Sequence, residues 1–359
     1  MTTTLQFIFV IFAIIVLFMF LPNILTLGFD LEGVRGTLSQ ISVNKVGQLA
    51  ISYDGGETFK SAGVDAPGTP SILTINAFGG KDGAAFSDRT YYAGTDQGIL
   101  ISKDNGLTWH SFVDLEKNID AKTAVNDFAF NPNTGGIFAA AYKNGHGVVY
   151  ATDDNFFTVS PIWTEARVKV LSLASDNNFL YLGLMDGRMI RYDYAAKTFQ
   201  AVKNFDSGIH DLNLTNGGKN IFVSLLDGNM YSSEDFGVNW SEINTSGEFA
   251  FFLSGSSISL TPDLKNTAIL YSASTAGIFR SVDRGTSWDS LNTILPKSPS
   301  IASFAVQNGR IYVTIGANLY ASADGGVNWK VEEPMPISGK LGPLYVANNG
   351  QLVIVGVKK

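Results

Sequence analysis

One short pattern of residues recurs along the chain and constrains its fold more than any other feature. The pattern, S-x-D-x-G-x-T-W, is formed by Ser102, Asp104, Gly106, Thr108 and Trp109. Five copies are good and two are weaker, and their aspartates are Asp54, Asp104, Asp154, Asp193, Asp235, Asp283 and Asp324. Successive aspartates lie 39 to 50 residues apart. A repeat of this length is typical of chains that build one structural unit several times.

The residues around each copy alternate as short strands separated by turns. Before the second copy, residues 91–94 and 99–101 are apolar and flank a turn at Asp96. Each repeat also has an earlier apolar stretch, for example residues 125–130 or 301–306. Four short antiparallel strands in 40 to 50 residues make one propeller blade. The sequence therefore predicts an all-β, seven-bladed β-propeller.

The pattern itself suits the turn between the third and fourth strands of a blade. Its aspartate and hydroxyl side chains can bond to backbone groups that a tight turn leaves unpaired. Its glycine accepts a positive φ at little cost. The closing aromatic residue returns the chain to the sheet, where it packs against the blade or its neighbour; these residues include Trp109, Trp240, Trp288 and Trp329. We therefore assign the seven aspartates and these tryptophans to folding.

Seven such turns in a near-regular array resemble the Asp-box, or BNR, repeat of sialidases, sortilin-type receptors, some glucan-cleaving glycosidases and the photosystem II assembly-factor propellers. The resemblance covers residues 36–359 and implies that the boxes lie on the lower outer edge of a propeller. It also implies that the propeller lies outside the cytoplasm. Two features of these relatives are missing here. The Arg-Ile-Pro motif of sialidases is absent, and no patch of arginines like that of the assembly factors is evident.

The first thirty residues are predicted to be a membrane anchor. Residues 5–29 contain no ionisable side chain, and residues 7–21 are all apolar. A helix of 25 residues is about 37 Å long, enough to cross a hydrocarbon core of about 30 Å. A cleaved secretory signal is the main alternative, although basic residues before the apolar run are missing. A helix buried in a partner complex is a third. We expect an anchor at 1–30 and a propeller domain at 31–359.

The two ends of the propeller domain are expected to share one blade. Residues 344–347 and 352–357 are strand-like and are followed by no box, whereas the first box lacks a full set of strands before it. Joining the ends removes two sheet edges. Residues 37–43 are also predicted to form a strand, so the number of strands that each end contributes to the shared blade stays open at this stage.

Composition excludes several classes of function. The chain has no cysteine and three scattered histidines, which argues against most zinc, haem and iron–sulfur sites. Its net charge of −7 does not suit a nucleic-acid binder. We expect no cofactor and no metal.

Function in a propeller is usually found on the upper face, where loops between blades meet the turns between second and third strands. The candidate binding residues there are Asp96, Tyr142, His146, Glu165, Arg167, Asp186, Arg188 and Asp227. Asp186 and Asp227 precede glycine, which is also ordinary hairpin-turn chemistry. Trp163 in a loop and the aromatic residues at 249–252 have two possible roles: they are exposed anchors for a protein partner, or they pack between blades.

These features favour a membrane-anchored, extracytoplasmic propeller that binds a protein partner or a membrane complex, as a scaffold, assembly factor or receptor-like subunit. Two alternatives stay open. One is a carbohydrate-active enzyme or carbohydrate-binding propeller, for which two suitably spaced upper-face carboxylates would be required. The other is a subunit built permanently into a larger membrane or filament assembly, for which a dry, apolar outer patch would be required.

Overall fold

The structure, a computed structural model, describes residues 48–78, 89–112, 118–152, 159–243, 259–263, 266–274, 277–291, 301–307, 309–332 and 334–359. These ranges contain β-strands and turns and no α-helix, so no element in them has the length and apolar character of a membrane-spanning helix. The predicted anchor at 1–30, the predicted strand at 37–43 and Asp154 lie outside the described residues.

The strands form seven separate sheets, which confirms the predicted all-β, seven-bladed β-propeller. Strands are numbered in chain order. Blade 1 consists of β28 (Lys340–Val346), β29 (Val353–Lys358), β1 (Leu49–Ser52) and β2 (Lys60–Ser61). Blade 2 consists of β4 (Ile72–Phe78), β5 (Thr90–Thr95), β6 (Gly98–Ser102), β7 (Thr108–Ser111) and β3 (Gly63–Asp65). Blade 3 consists of β8 (Ala124–Phe130), β9 (Ile137–Lys143), β10 (His146–Thr152) and β11 (Ser160–Ala166).

The other four blades each consist of four antiparallel strands in chain order. Blade 4 consists of β12 (Val170–Ser175), β13 (Phe179–Leu184), β14 (Arg188–Asp193) and β15 (Thr198–Asn204). Blade 5 consists of β16 (Ile209–Thr215), β17 (Asn220–Leu225), β18 (Met230–Ser233) and β19 (Ser241–Glu242). Blade 6 consists of β20 (Ser259–Pro262), β21 (Leu270–Ser274), β22 (Gly277–Ser281) and β23 (Asp289–Ser290). Blade 7 consists of β24 (Ile301–Gln307), β25 (Arg310–Ile315), β26 (Asn318–Ser322) and β27 (Lys330–Val331).

The two ends of the described chain meet in blade 1. Strand β1 pairs antiparallel with β29, with Ala50 opposite Val355, so each end contributes two strands. The first strand of every blade contacts the first strands of both neighbouring blades, from β4 round to β28 and back to β4. The second strands lie between these and the third strands and are covered on both faces by neighbouring blades, which explains why they read as continuous apolar runs.

Five of the repeated patterns form one kind of turn, in blades 1, 2, 5, 6 and 7, which we call the aspartate turns. In blade 6, Asp283 accepts hydrogen bonds from the Ser281 hydroxyl (2.8 Å), the Ser287 amide (2.9 Å) and the Ser287 hydroxyl (2.5 Å). The Gly285 amide donates to the Ser281 hydroxyl at 2.7 Å. The bonds from Ser287, then that from Ser281, lower the pKa of Asp283 to about 2. Each turn therefore holds an ionised carboxylate at neutral pH.

The turn at Asp193 of blade 4 is not an aspartate turn, which differs from the predicted array of seven. The carboxylate of Asp193 accepts hydrogen bonds from the amides of Ala195 (2.8 Å) and Ala196 (2.9 Å) within an ordinary hairpin turn. Arg191 stands where the pattern has serine, so the hydroxyl that would bond to the aspartate is missing. Asp193 is still a structural residue, but of a different turn.

The glycine of each aspartate turn lies against the preceding blade. A methyl group on Gly106 would lie 2.7 Å from Cδ1 of Ile51 and 3.0 Å from Cδ1 of Ile354, both in blade 1. A methyl group on Gly285 would lie 2.3 Å from Cγ2 of Ile243, at the end of blade 5. The tryptophan that closes the turn donates its indole N–H to the same glycine's carbonyl, as Trp109 does at 2.8 Å. Glycine thus serves the turn and the close approach of two blades.

A second set of bonds links the first strands at a β-bulge. Asp127 in β8 accepts a hydrogen bond from the Leu173 amide in β12 (2.8 Å), and Asp211 in β16 accepts one from the Ser259 hydroxyl in β20 (3.0 Å). Burial, and to a smaller extent the charge of Asp211, raise the pKa of Asp127 to about 7, although amide donors oppose the shift.

We expect the Gly106→Ala substitution to destabilise the propeller more than Gly135→Ala. Both glycines have positive φ, +85° and +79°, so both substitutions add backbone strain of about 1–2 kcal/mol. Space is open around Gly135, whereas an alanine at 106 must displace Ile51 and Ile354, which adds about 1–3 kcal/mol of overpacking. Urea unfolding of both variants measures the difference. Equal losses would show that the glycine serves only the turn.

We expect the wild-type protein to lose stability relative to Asp127→Asn as the pH rises from 5 to 8. The pKa of Asp127 is about 7 in the folded protein, against 3.8 normally, so the folded state binds this proton more tightly than the unfolded state does. The stability gained from this proton is fully present below the unfolded pKa and is lost as the pH rises through 7. Because the side chain is half-buried, solvent screens part of the effect, and we expect about 1–2 kcal/mol. Urea unfolding at several pH values measures it; parallel curves for the two proteins would contradict the raised pKa.

Candidate functional site

All eight candidate residues lie at the same end of the strands, the upper face. Antiparallel order places the turns between second and third strands, and the loops between blades, opposite the aspartate turns. Six candidates lie on blades 3 and 4 or on the loop between them, and these are Tyr142, His146, Glu165, Arg167, Asp186 and Arg188. We call this region, together with Lys169, the blade 3–4 surface.

An arginine bridges two carboxylates across the junction of the two blades. The Nη2 atom of Arg188, in blade 4, lies 2.6 Å from Oε1 of Glu165 in blade 3 and 2.7 Å from Oδ2 of Asp186 in its own turn. All three side chains are about one third exposed, with values of 34%, 37% and 38%. The hydrogen bonds with Glu165 and then Asp186 raise the pKa of Arg188. The charges are therefore fixed in position before any partner arrives.

An aromatic–cation pair crosses the same junction. The ammonium group of Lys169, which precedes β12, lies 4.8 Å from the ring centroid of Tyr142 in β9. The next residue, Lys143, forms an ion pair with Asp120 at 3.1 Å and donates to the Asn118 carbonyl at 3.0 Å. The sequence did not indicate Lys169 or Asp120 as site residues, because neither pairing is local in the chain. A cation over an aromatic ring is attracted by the ring's quadrupole, and this contact holds the Tyr142 ring in place.

His146 and Arg167 lie in the turn and the loop that adjoin this surface. Nδ1 of His146 lies 3.1 Å from the Asn144 carbonyl, and the side chain is exposed. Arg167 has a φ of 64° and donates its amide to the Gly145 carbonyl at 2.8 Å. The left-handed conformation, uncommon for arginine, lets the chain reverse between β11 and β12 and leaves the side chain exposed.

The remaining two candidates lie on other blades and have structural partners. Asp96, in blade 2, accepts the Ser71 amide at 2.7 Å and so closes the loop that enters β4. Asp227, in blade 5, accepts the amide (3.0 Å) and the side-chain amide (3.1 Å) of Asn229 in its hairpin turn. The structure does not bring either residue to the blade 3–4 surface.

The structure decides between the two roles predicted for Trp163 and corrects only its placement in a loop. Trp163 lies inside β11 rather than in a loop, and it packs half-buried against the core between blades 3 and 4, so the strand rather than a partner accounts for it. The aromatic residues at 249–252 lie outside the described residues.

The blade 3–4 carboxylates do not fit the acid–base pair of a glycosidase. Glycoside hydrolysis needs one carboxyl group protonated as the acid. Glu165 and Asp186 share one guanidinium nitrogen, at 2.6 and 2.7 Å, so both side chains are engaged in an internal ion pair instead of facing a free cleft as an acid and a base. Among the described residues, no group of three or more His, Asp or Glu side chains is placed to hold a metal ion.

Asp127 and Asp211 are carboxylates that the sequence analysis did not select. They occupy the same position in the first strands of two repeats, V-N-D-F and I-H-D-L. An aspartate that recurs inside an apolar strand is the signal that could have identified them. Both are half-buried, and each bonds to the next blade.

Comparison with models of known protein families finds no match, and no curated protein is similar enough in sequence to match. Solved structures are similar in fold. YCF48 from Cyanidioschyzon merolae superposes with a TM-score of 0.61 at 14% identity, covering 81% of this chain and 97% of that one. A structure of YCF48 bound to D1 peptide gives 0.60 at 16% identity, with 82% and 95% covered.

An enzyme has the same architecture. The GH74 xyloglucanase from Xanthomonas campestris superposes with a TM-score of 0.61 at 15% identity, over 80% of this chain and 51% of that one. At such identities the likeness concerns the fold alone, and a peptide-binding protein and a glycosidase share it. The described chain therefore belongs, by fold, with the seven-bladed β-propellers.

Proposed function

We propose that this protein is a membrane-anchored, extracytoplasmic propeller of the Asp-box type that binds another protein, as a scaffold, assembly factor or receptor-like subunit. The observation that carries the proposal is the blade 3–4 surface. Side chains of two blades form there an ion-pair network and an aromatic–cation pair that remain partly exposed.

The chemistry of this surface suits a macromolecular partner. Binding energy in protein interfaces comes mainly from a few aromatic and arginine side chains, and fixed charges around them give specificity. Tyr142 supplies the aromatic ring, and Arg188 with Glu165 supplies the charges. Because the network spans two blades of a rigid ring, little side-chain freedom is lost on binding. A propeller of the same fold has been seen with a peptide bound, which is compatible with this proposal.

Membership of the Asp-box propellers is supported by the aspartate turns. In all five, the aspartate bonds to the first hydroxyl and to the amide and side chain four residues on, as Asp54 does with Ser52 and Thr58. Extracytoplasmic location is proposed from this resemblance, and anchoring from the apolar run at residues 5–29.

We expect a partner to co-purify with the full chain after gentle detergent extraction, and its recovery to fall about tenfold with the Tyr142→Ala/Lys169→Ala variant. The matched control is Val238→Ala/Val327→Ala, two residues exposed at 74% and 60% on aspartate turns of the opposite face. Quantitative mass spectrometry measures recovery, and circular dichroism checks that each variant is folded.

Two results would contradict the protein-binding proposal. One is equal recovery of the same partner with both double variants. The other is a wild-type protein that purifies alone and hydrolyses a panel of β-glucans, with hydrolysis lost in Asp127→Asn. That result would favour the carbohydrate-active alternative, in which Asp127, with its raised pKa, would act as the acid and Asp211 would be a candidate second carboxylate.

We expect the wild-type protein to stay in the membrane pellet through an alkaline carbonate wash, and a variant lacking residues 5–29 to be released. Protease added to cells whose outer envelope has been permeabilised should degrade the propeller, because the propeller is proposed to lie outside the cytoplasm. A mature protein that begins after residue 30 and appears in the wash would instead indicate a cleaved signal. Protection from protease until the cells are lysed would place the propeller in the cytoplasm.

A further inference from the structure

The outer edges of the blades differ in a way that the repeat does not explain. Blades 1, 5, 6 and 7 end in a fourth strand of two residues each. The edge of blade 2 is covered, because β3 pairs parallel with β7. Blades 3 and 4 instead end in β11 and β15, each of seven residues. An unpaired edge strand offers a row of backbone donors and acceptors to another chain.

The edge strand of blade 3 contains a proline, which the edge strand of blade 4 lacks. Pro161 lies within β11 and has no backbone N–H to offer. The side chain of Glu165, near the other end of β11, forms an ion pair with Arg188. Strand β15 contains no proline, and no described strand pairs with its outer side. The stretch from Thr198 to Ala201 is in regular register with β14 before the bulge at Val202. We call this outer side of Thr198–Asn204 the β15 edge.

The net charge of blade 4, taken with the loop that leads into it, is opposite in sign to that of the chain as a whole. Residues 167–206 hold six Lys and Arg against four Asp, a net charge of +2 in a protein of net charge −7. Among the ion pairs of the described residues, none involves Arg191, Lys197 or Lys203. Lys197 precedes the strand and Lys203 lies within it. Arg191 in β14 is already engaged, because its guanidinium bonds to Gln200 of β15 (3.1 Å) and lies 4.7 Å from the centroid of the Phe179 ring. A second copy of this edge would bring like charges together, which disfavours self-pairing.

We propose that the β15 edge binds an acidic segment of a partner protein in extended conformation, which adds to blade 4 as a fifth strand. Backbone hydrogen bonds would supply affinity, as in other strand-addition complexes, and Lys197 and Lys203 would select carboxylates on the incoming strand. The parallel addition of β3 to β7 shows that a blade of this propeller accepts a fifth strand at its outer edge. The inference rests on the proposed protein-binding function but uses a different surface.

The test uses purified full-length protein and a synthetic peptide of about eight residues, alternating valine or threonine with glutamate, long enough to span β15. A peptide with lysine in place of glutamate is the control probe. We expect the acidic peptide to bind in a salt-dependent manner and to slow hydrogen exchange at residues 198–204 but not at 160–166. The Lys197→Glu/Lys203→Glu variant should bind it about tenfold more weakly and should prefer the basic peptide. Both lysines are exposed, so the variant should keep the wild-type thermal midpoint.

Binding without protection of β15, equal binding by the charge-reversed variant, or no binding of either peptide would overturn the inference. Concentration-dependent dimerisation that protects β15 without peptide would assign the edge to a second copy and overturn it as well. Because this experiment needs no native partner, its failure leaves the co-purification test of the blade 3–4 surface unaffected.

Discussion

The ring depends on the contact between each aspartate turn and the blade before it. The carboxylate fixes the turn, which allows its glycine to press against aliphatic side chains of the neighbour, as Gly106 does against Ile51 and Ile354. A side chain at that position would hold the two blades apart. Blade 1 has Phe59 in place of tryptophan and therefore lacks the indole donor; there, the Tyr312 hydroxyl of blade 7 donates to the Gly55 carbonyl at 2.9 Å, so closure uses a bond between blades.

The lower half of each blade is largely encoded locally, which is why the sequence predicts it. Ser281, Asp283 and Ser287 lie within seven residues, and their bonds follow from that spacing alone. Asp193 shows the limit of this reasoning, since an aspartate and an aromatic residue at similar spacing form another turn once the serine is replaced. The sequence of a single repeat could not predict that its glycine lies at the blade interface, because the atoms that the glycine contacts belong to the preceding blade.

The candidate site depends on contacts between blades, and the sequence predicts it only by position. The order of strands places Tyr142, Glu165 and Arg188 on one face. That Glu165 and Arg188 pair, and that Lys169 covers Tyr142, depends on how blades 3 and 4 pack. For the same reason Asp96 and Asp227 satisfy every sequence criterion and still lie apart from the cluster. For Trp163 the sequence left two roles open, an anchor for a partner or packing between blades, because burial of its ring depends on how blades 3 and 4 pack.

The uneven outer strands connect the architecture to function. Where an aspartate turn is complete, the chain leaves the sheet soon after the tryptophan or phenylalanine, and in four of the five such blades the fourth strand has only two residues. In blade 4 the serine and glycine of the pattern are missing, the hairpin is ordinary, and β15 runs its full length beside β14. Loss of the repeated turn therefore has a structural consequence beyond the turn itself. It leaves a seven-residue outer strand with Lys203 within it and Lys197 just before it, so the two blades that depart from the repeat in sequence are those on which both proposed binding surfaces lie.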